Sequence, residues 1–190
     1  AVRPINQHWS WDRILRSPFI KQADVLQGLY FFEDHFTMDQ IKINFDYYEP
    51  RTVHESSLSP CVHAILACRL GYEEKAKEMY LRTARLDLND YNNDSDDGLH
   101  ITSMAGTWMS VVQGFGGIKV NENGLHINPF LPKDWSGLQF KIYFLNRAMN
   151  IDLSANKVEI VNLSSEHVDF HYKGKKILLP AKECFISELT

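Results

Sequence analysis

The chain has 190 residues, 44% of them hydrophobic and 12% aromatic, and a net charge of −4. That is apolar material for one ordinary domain or two small ones, and it excludes a disordered chain. Residues 1–115 carry 11 basic and 16 acidic side chains, and residues 116–190 carry 9 and 8. Neither part is a basic footprint for nucleic acid, and no apolar run reaches the roughly 18–20 residues that span a bilayer.

The first residues, Ala1-Val2-Arg3-Pro4, lack a start methionine and open no signal-peptide pattern. The chain reads as a piece cut from a longer polypeptide. Its cysteines, Cys61, Cys68 and Cys184, are odd in number and match no zinc spacing. Cys61 and Cys68 stand seven apart, two core positions of one helical pattern. They read as buried free thiols, which fits a reducing compartment.

Trp9, Trp11 and a short turn over 12–16 come first. Ser17-Pro18 reads as a helix start, followed by an apolar stripe of Phe19, Ala23, Leu26 and Tyr30 widened by Val25, Leu29 and Phe32. Lys21 then falls near a helix N-terminus, where a cation gains nothing from the dipole. Thr37-Met38-Asp39-Gln40 is a capping box that opens a helix through Ile41, Phe45 and Tyr48.

Between Pro50 and Pro60 lies a polar loop. Residues 46–60, Asp-Tyr-Tyr-Glu-Pro-Arg-Thr-Val-His-Glu-Ser-Ser-Leu-Ser-Pro, gather carboxylates, Arg51, His54 and three serines in one short run. Each proline biases the residue before it away from the helix, so a helix ends near Tyr48 and another starts after Ser59. Ser59 reads as the N-cap and Pro60 as the first helical residue. Capping does not explain Glu49, Arg51, His54 and Glu55 together, and loops held by a rigid scaffold are where chemistry concentrates.

The next helix runs from Pro60 to Leu70 and stops at Gly71. Another follows from Tyr72 to about Leu86, with Glu73 and Lys77 as an i,i+4 pair. Successive helix pairs with short connections are the grammar of a bundle or an α/α toroid. The acidic, Asn-rich run 87–98 invites a calcium reading but has Gly98 where an EF-hand needs glutamate. Leu99 to Gln113 is helical, with Ile101, Met104, Trp108, Val111 and Val112 as its expected stripe. Ala105 and Gly106 permit a close neighbour.

After Gly117 the period becomes two. Ile118–Val120 and Leu125–Ile127 flank an Asn-Gly hairpin signal, and six more short alternating segments reach Leu189. Such strands predict an antiparallel sandwich with no catalytic constellation of its own.

Three stretches together resemble a known family: Lys21-Gln22-Ala23-Asp24-Val25, the loop Tyr47 to Ser59, and residues 97–108, Asp-Gly-Leu-His-Ile-Thr-Ser-Met-Ala-Gly-Thr-Trp. In that order they are similar to glycoside hydrolase family 65, whose members include maltose, kojibiose, nigerose and trehalose phosphorylases. The resemblance covers nearly the whole chain. It implies an α+β chain: the C-terminal portion of an (α/α)6 barrel over residues 1–116, then a small antiparallel β-sandwich over 117–190.

The activity implied is inverting phosphorolysis of an α-glucosidic bond, of maltose or kojibiose type, giving β-glucose 1-phosphate and glucose. An inverting hydrolase needs a general acid and a base for water. Phosphate is already an anionic nucleophile, so the protein holds its charge with oriented donors instead. Carried over, Lys21, Gln22 and Glu49 bind the glucosyl unit, with Glu49 accepting from a sugar hydroxyl or orienting Lys21. Ser56, Ser57 and His100 bind phosphate. Arg51, His54 and Glu55 support the loop from behind.

The family's general acid is a glutamate in a Gly-Pro-Asp-Glu-Tyr type motif that this sequence lacks, so no catalytic residue is assigned within it and the chain alone is expected to be inactive. No metal and no cofactor are implied beyond phosphate as co-substrate. The implied partners are the disaccharide, phosphate, the remainder of the barrel and a second copy in a homodimer, with no nucleic acid or membrane, in the cytoplasm. Two other readings stand beside it: a trehalase-type hydrolase of the same family, and a non-catalytic carbohydrate-binding module.

Overall fold

A computed structural model describes residue 5, residues 8–91, residue 93 and residues 95–189, apart from the side chain of Asp97. Ala1–Pro4, Asn92 and Asp94, and with them part of the N-terminal and calcium readings, lie outside the described residues. The chain divides into two compact units, 1–111 and 112–190.

The first unit is helical. Its helices are α1 (Trp11–Leu15), α2 (Asp24–Phe31), α3 (Met38–Tyr48), α4 (Ser59–Leu70), α5 (Glu73–Ala84), α6 (Leu86–Asn89) and α7 (Ile101–Met109). The Thr37–Gln40 capping box is present with both of its reciprocal bonds. Gly71 ends α4 at φ +70° in the left-handed region, where a Cβ would be strained. α4 is the hub: residues 59–68 are all buried, and α2, α3, α5 and α7 pack around it. Apolar, small and β-branched side chains on every side allow it to be covered from all directions.

Three expectations change here. The helix expected from Ser17-Pro18 begins only at Asp24, because Ile20 is drawn into a parallel bridge with Thr52. Lys21 and Gln22 therefore stand on a bent segment rather than in a first helical turn. Ser59 is the first residue of α4, not its cap. Its hydroxyl accepts from the Ala23 N–H at 3.0 Å instead.

In α7 the expected stripe is largely outside. Ile101, Met104 and Trp108 are exposed, and the small face of Ser103, Gly106 and Ser110 is buried. The reason is close approach. A Cβ on Gly106 would lie 2.9 Å from the Cys61 Cβ, and the Ser103 hydroxyl donates to the Thr83 carbonyl at 3.0 Å. Ala105, read as a second small contact, is exposed.

The second unit begins within a π-helical turn, Ser110–Phe115. Its strands are β1 (Ile118–Asn121), β2 (Gly124–Ile127), β3 (Gly137–Phe144), β4 (Arg147–Ser154), β5 (Lys157–Asn162), β6 (Val168–Tyr172), β7 (Lys175–Leu179) and β8 (Cys184–Glu188). They form two four-stranded sheets, ordered β1-β2-β6-β7 and β3-β4-β5-β8. Neighbours run antiparallel except β2 and β6, which pair in parallel. One core joins the inward faces: Leu125, Ile127, Phe170 and Tyr172 from one sheet, Met149, Ile151, Leu153, Val158 and Ile160 from the other. Strict alternation along β4 and β5 puts every second side chain there.

Asn162 ends β5 fully buried. Its amide nitrogen donates to the carbonyls of Glu166, Leu179 and Pro180 at 2.8–3.2 Å, and its oxygen accepts from the Ser164 N–H at 2.9 Å. One side chain thus meets four backbone groups at two connections, β5–β6 and β7–β8. Asn162→Ala is expected to destabilise the sandwich by about 2–4 kcal/mol, read as a lowered midpoint in denaturant, because buried polar groups lose their partner.

Candidate functional site

The site is assembled by backbone. The Ile20 N–H donates to the Arg51 carbonyl at 2.9 Å, and the Val53 N–H donates to the Ile20 carbonyl at 2.8 Å. With the Ala23–Ser59 bond, these pin Lys21-Gln22 against the loop 49–59. Sequence distance between the two motifs is thereby removed at three points, all on groups that every substitution of an exposed side chain leaves intact.

Lys21 is the exposed cation that this places. Its Nζ is 3.0 Å from Glu55 Oε2 and 5.4 Å from the centroid of the Trp11 ring. The carboxylate beside Lys21 is thus Glu55. Glu49 turns elsewhere: its Oε1 is 2.9 Å from Lys75 Nζ, and that ammonium also meets Glu78 at 2.6 Å. The Glu49 carboxylate keeps a second oxygen beside this pair. Gln22 donates to Asp24 at 3.1 Å. Arg51 lies over the Tyr47 ring at 4.0 Å and donates to the Tyr47 carbonyl at 2.6 Å, which ties the loop to the end of α3.

Ser56 and Ser57 are half-buried just before α4. The Ser56 oxygen accepts from the Leu58 N–H at 3.3 Å, closing a tight turn while its own hydroxyl proton stays available to donate. His100 precedes α7, which packs against α4 and α5. His100 Nδ1 is 2.6 Å from Asp87 Oδ1, and the His100 N–H donates to Asp87 Oδ2 at 3.1 Å. The bond from His100 holds the Asp87 carboxyl below its usual range.

Behind the loop lies a pair of buried imidazoles. His54, at φ +57°, and His63 of α4 stack edge to face at 4.6 Å between centroids. No ring nitrogen of either has a hydrogen-bond partner among the described residues. Burial pushes His54 down to about 3, helped by the charges of Arg82 and Lys75, and it holds His63 well below its ordinary value. Arg82 also donates to the His54 carbonyl at 3.2 Å. A Glu49 oxygen and ring nitrogens of His54 and His63 lie within 4.8 Å of one another, a possible metal-ligand set. Lys75 already neutralises that carboxylate and Arg82 stands nearby, so a bound cation would face two fixed positive charges. The arrangement favours a neutral packing pair.

The family resemblance implied roles for Lys21, Gln22, Glu49, Ser56, Ser57 and His100; it did not point to Lys75, Asp87 or His63, which the structure sets against Glu49, His100 and His54. Lys75 and Asp87 sit in ordinary charged runs, 26 residues from Glu49 and 13 from His100. Only the packing of α5 and α6 brings them in.

The pair of neutral histidines carries a pH consequence. Their folded-state values are depressed, so the unfolded chain binds protons that the folded one refuses. Stability is complete above the ordinary histidine value near 6.5 and falls as pH drops toward 3. The expected slope grows from near zero above pH 7 toward about 1.4 kcal/mol per pH unit for each ring by about pH 5, measured as denaturant midpoints between pH 7 and pH 5. In His63→Gln that slope is expected to lessen.

Residues 1–109 match the model of the glycosyl hydrolase family 65 central catalytic domain, and residues 118–179 match the family's C-terminal domain. The chain is 54% identical to the maltose phosphorylase of Bacillus subtilis (strain 168), over 96% of this chain and 24% of the relative. It is 45% identical to the α,α-trehalose phosphorylase of Thermoanaerobacter brockii, over 95% and 23%. It is 38% identical to the kojibiose phosphorylase of Halothermothrix orenii, over 94% and 24%. The chain thus spans about a quarter of the length of these curated relatives. A solved structure of a candidate kojibiose phosphorylase from the human microbiome superposes with a TM-score of 0.89 at 38% identity, over 98% of this chain and 27% of that one. The order helical unit then sandwich, the two family matches and these identities agree: the chain belongs to glycosyl hydrolase family 65.

Proposed function

We propose that this chain is the C-terminal part of an inverting disaccharide phosphorylase that cleaves an α-glucosidic bond with inorganic phosphate. The observation that carries the reading is the backbone bridge that sets Lys21 and Gln22 beside the loop of Glu49, Ser56 and Ser57. Sugar-binding and phosphate-binding groups must face one reacting carbon, and a bridge between their two segments is the way to hold both within a fraction of an ångström.

In this reading Lys21 and Gln22 donate to hydroxyls of the glucosyl unit, and Glu49 accepts from one of them. Ser56, Ser57 and His100 supply donors to phosphate oxygens. No base is needed, because phosphate enters as an anion. Fixed donors offset its charge without reorganisation as the bond breaks. Arg51, His54 and Glu55 keep the loop in place. The general acid for the leaving oxygen comes from a further part of the barrel. The exposed apolar side chains of the helical unit, Phe31, Ile43, Leu99, Ile101 and Trp108, support further polypeptide packing on it.

The 54% identity to a maltose phosphorylase favours maltose over kojibiose as substrate, with β-glucose 1-phosphate and glucose as products. The setting is the cytoplasm, where phosphate is supplied, and the enzyme acts as a homodimer with no cofactor besides phosphate. A trehalase-type hydrolase would have no use for the phosphate donors this reading assigns.

The test is initial rates on maltose, kojibiose, nigerose and trehalose by the full-length protein. Glucose 1-phosphate release that requires phosphate and is fastest with maltose is expected. Glucose release at the same rate without phosphate would support the hydrolase. Disaccharide binding without any turnover would support a carbohydrate-binding module.

A further inference from the structure

We propose that Asp87 is a positioning residue for phosphate: its carboxylate fixes the His100 imidazole with Nδ1 protonated and keeps the ring positive for an anionic partner. The inference rests on the phosphate reading of His100 and extends it to a residue outside the loop and motif that suggested that reading.

The geometry is a two-point hold. One carboxylate oxygen meets the ring nitrogen at 2.6 Å and the other takes the backbone N–H of the same residue at 3.1 Å. Both side chains are mostly sheltered, 17% exposed for Asp87 and 23% for His100. The hold is anchored on each side. Asp87 lies in α6, directly after α5, and the Ser103 hydroxyl of α7 bonds the Thr83 carbonyl near the end of α5. The Ser95 hydroxyl donates to the Asp87 carbonyl at 3.3 Å. Turning the ring or the carboxylate breaks the two-point hold itself, and the Ser95 and Ser103 bonds fix the backbone on which the hold is mounted.

A carboxylate only accepts, so the proton between the two groups belongs to Nδ1. In the neutral ring Nε2 would then present a lone pair, which repels a phosphate oxygen. With Asp87 on one side and phosphate on the other, the doubly protonated ring is the stable form. Charges then alternate: carboxylate, imidazolium, phosphate. Each hydrogen bond in that series is charge-assisted and stronger than a neutral one. Asparagine cannot reproduce it. It has one acceptor for two donors, and if that acceptor keeps the backbone N–H, its amide turns the ring to the other tautomer and leaves it neutral.

The experiment uses the full-length protein with maltose and inorganic phosphate. Asp87→Asn is expected to raise the KM for phosphate at least about tenfold, the loss of one charge-assisted bond. The KM for maltose should stay within about twofold, a split that general loosening of the fold would not give. His100→Gln should raise the phosphate KM as much, and the double variant should add little. A raised phosphate KM in His100→Gln with none in Asp87→Asn overturns the role of Asp87 and leaves the phosphate reading standing. No change in either variant overturns the phosphate reading itself. Should Asp87→Asn fail to fold, ring 15N shifts of the unsubstituted protein decide, with His100 assigned by its loss in His100→Gln. A ring protonated at both nitrogens with phosphate bound is expected. A neutral ring protonated only at Nε2 overturns the proposal.

Discussion

The placement of Lys21 and Gln22 against the loop depends on a short stretch of backbone pairing. Ile20 exchanges hydrogen bonds with Arg51 and Val53, and Ala23 gives its N–H to the buried Ser59 hydroxyl. Without those three bonds, residues 18–23 carry enough apolar spacing to join α2 as helix, and Lys21 would point wherever that helix sent it. The bridge extends the segment instead. Net hydrogen bonds are modest, about 1 kcal/mol each, but an unmade one at a buried donor costs more than a made one gains. Ala23 and Ser59 are each about 1% exposed, so the pairing is enforced by the penalty for leaving it.

The charges follow from that frame. Lys21 finds Glu55, and Glu49 finds Lys75 from the neighbouring helix α5. His100 finds Asp87. Each pairing orients a donor or acceptor. An exposed pair such as Lys21–Glu55 contributes little stability, so its value lies in direction. Behind them the two imidazoles are neutral and buried, with the loop's one positive φ at His54 stacked on His63. The loop therefore has a polar face and a packed back.

Much of this was legible in the sequence, for local reasons. The eight strands follow alternation that any half-buried strand must show. The capping box at Thr37 and the stop at Gly71 are local chemistry. Lys21 stood out as a misplaced cation, and Glu49, Arg51, His54 and Glu55 as polar groups that capping does not explain, whereas roles for Gln22, Ser56, Ser57 and His100 came only from the family resemblance. What was not legible is tertiary. Ser59 looks like a cap until Ala23 arrives as its donor. Ile101, Met104 and Trp108 look like a core stripe until Gly106 and Ser103 turn out to be the face that α4 and α5 require. Asp87 looks like one more acid in an acidic run. In each case the deciding partner is distant along the chain, so no window on the sequence contains both.

The most direct test of the account is a double-mutant cycle of Ser59→Ala and Lys21→Ala, read as kcat/KM for the disaccharide in the full-length protein. If the Ser59 hydroxyl acts by holding the segment that carries Lys21, Ser59→Ala lowers kcat/KM about tenfold, and its effect largely disappears once Lys21 is gone. Additive effects, or a kcat/KM unchanged in Ser59→Ala, would contradict the claim that this backbone pairing places the sugar-binding groups.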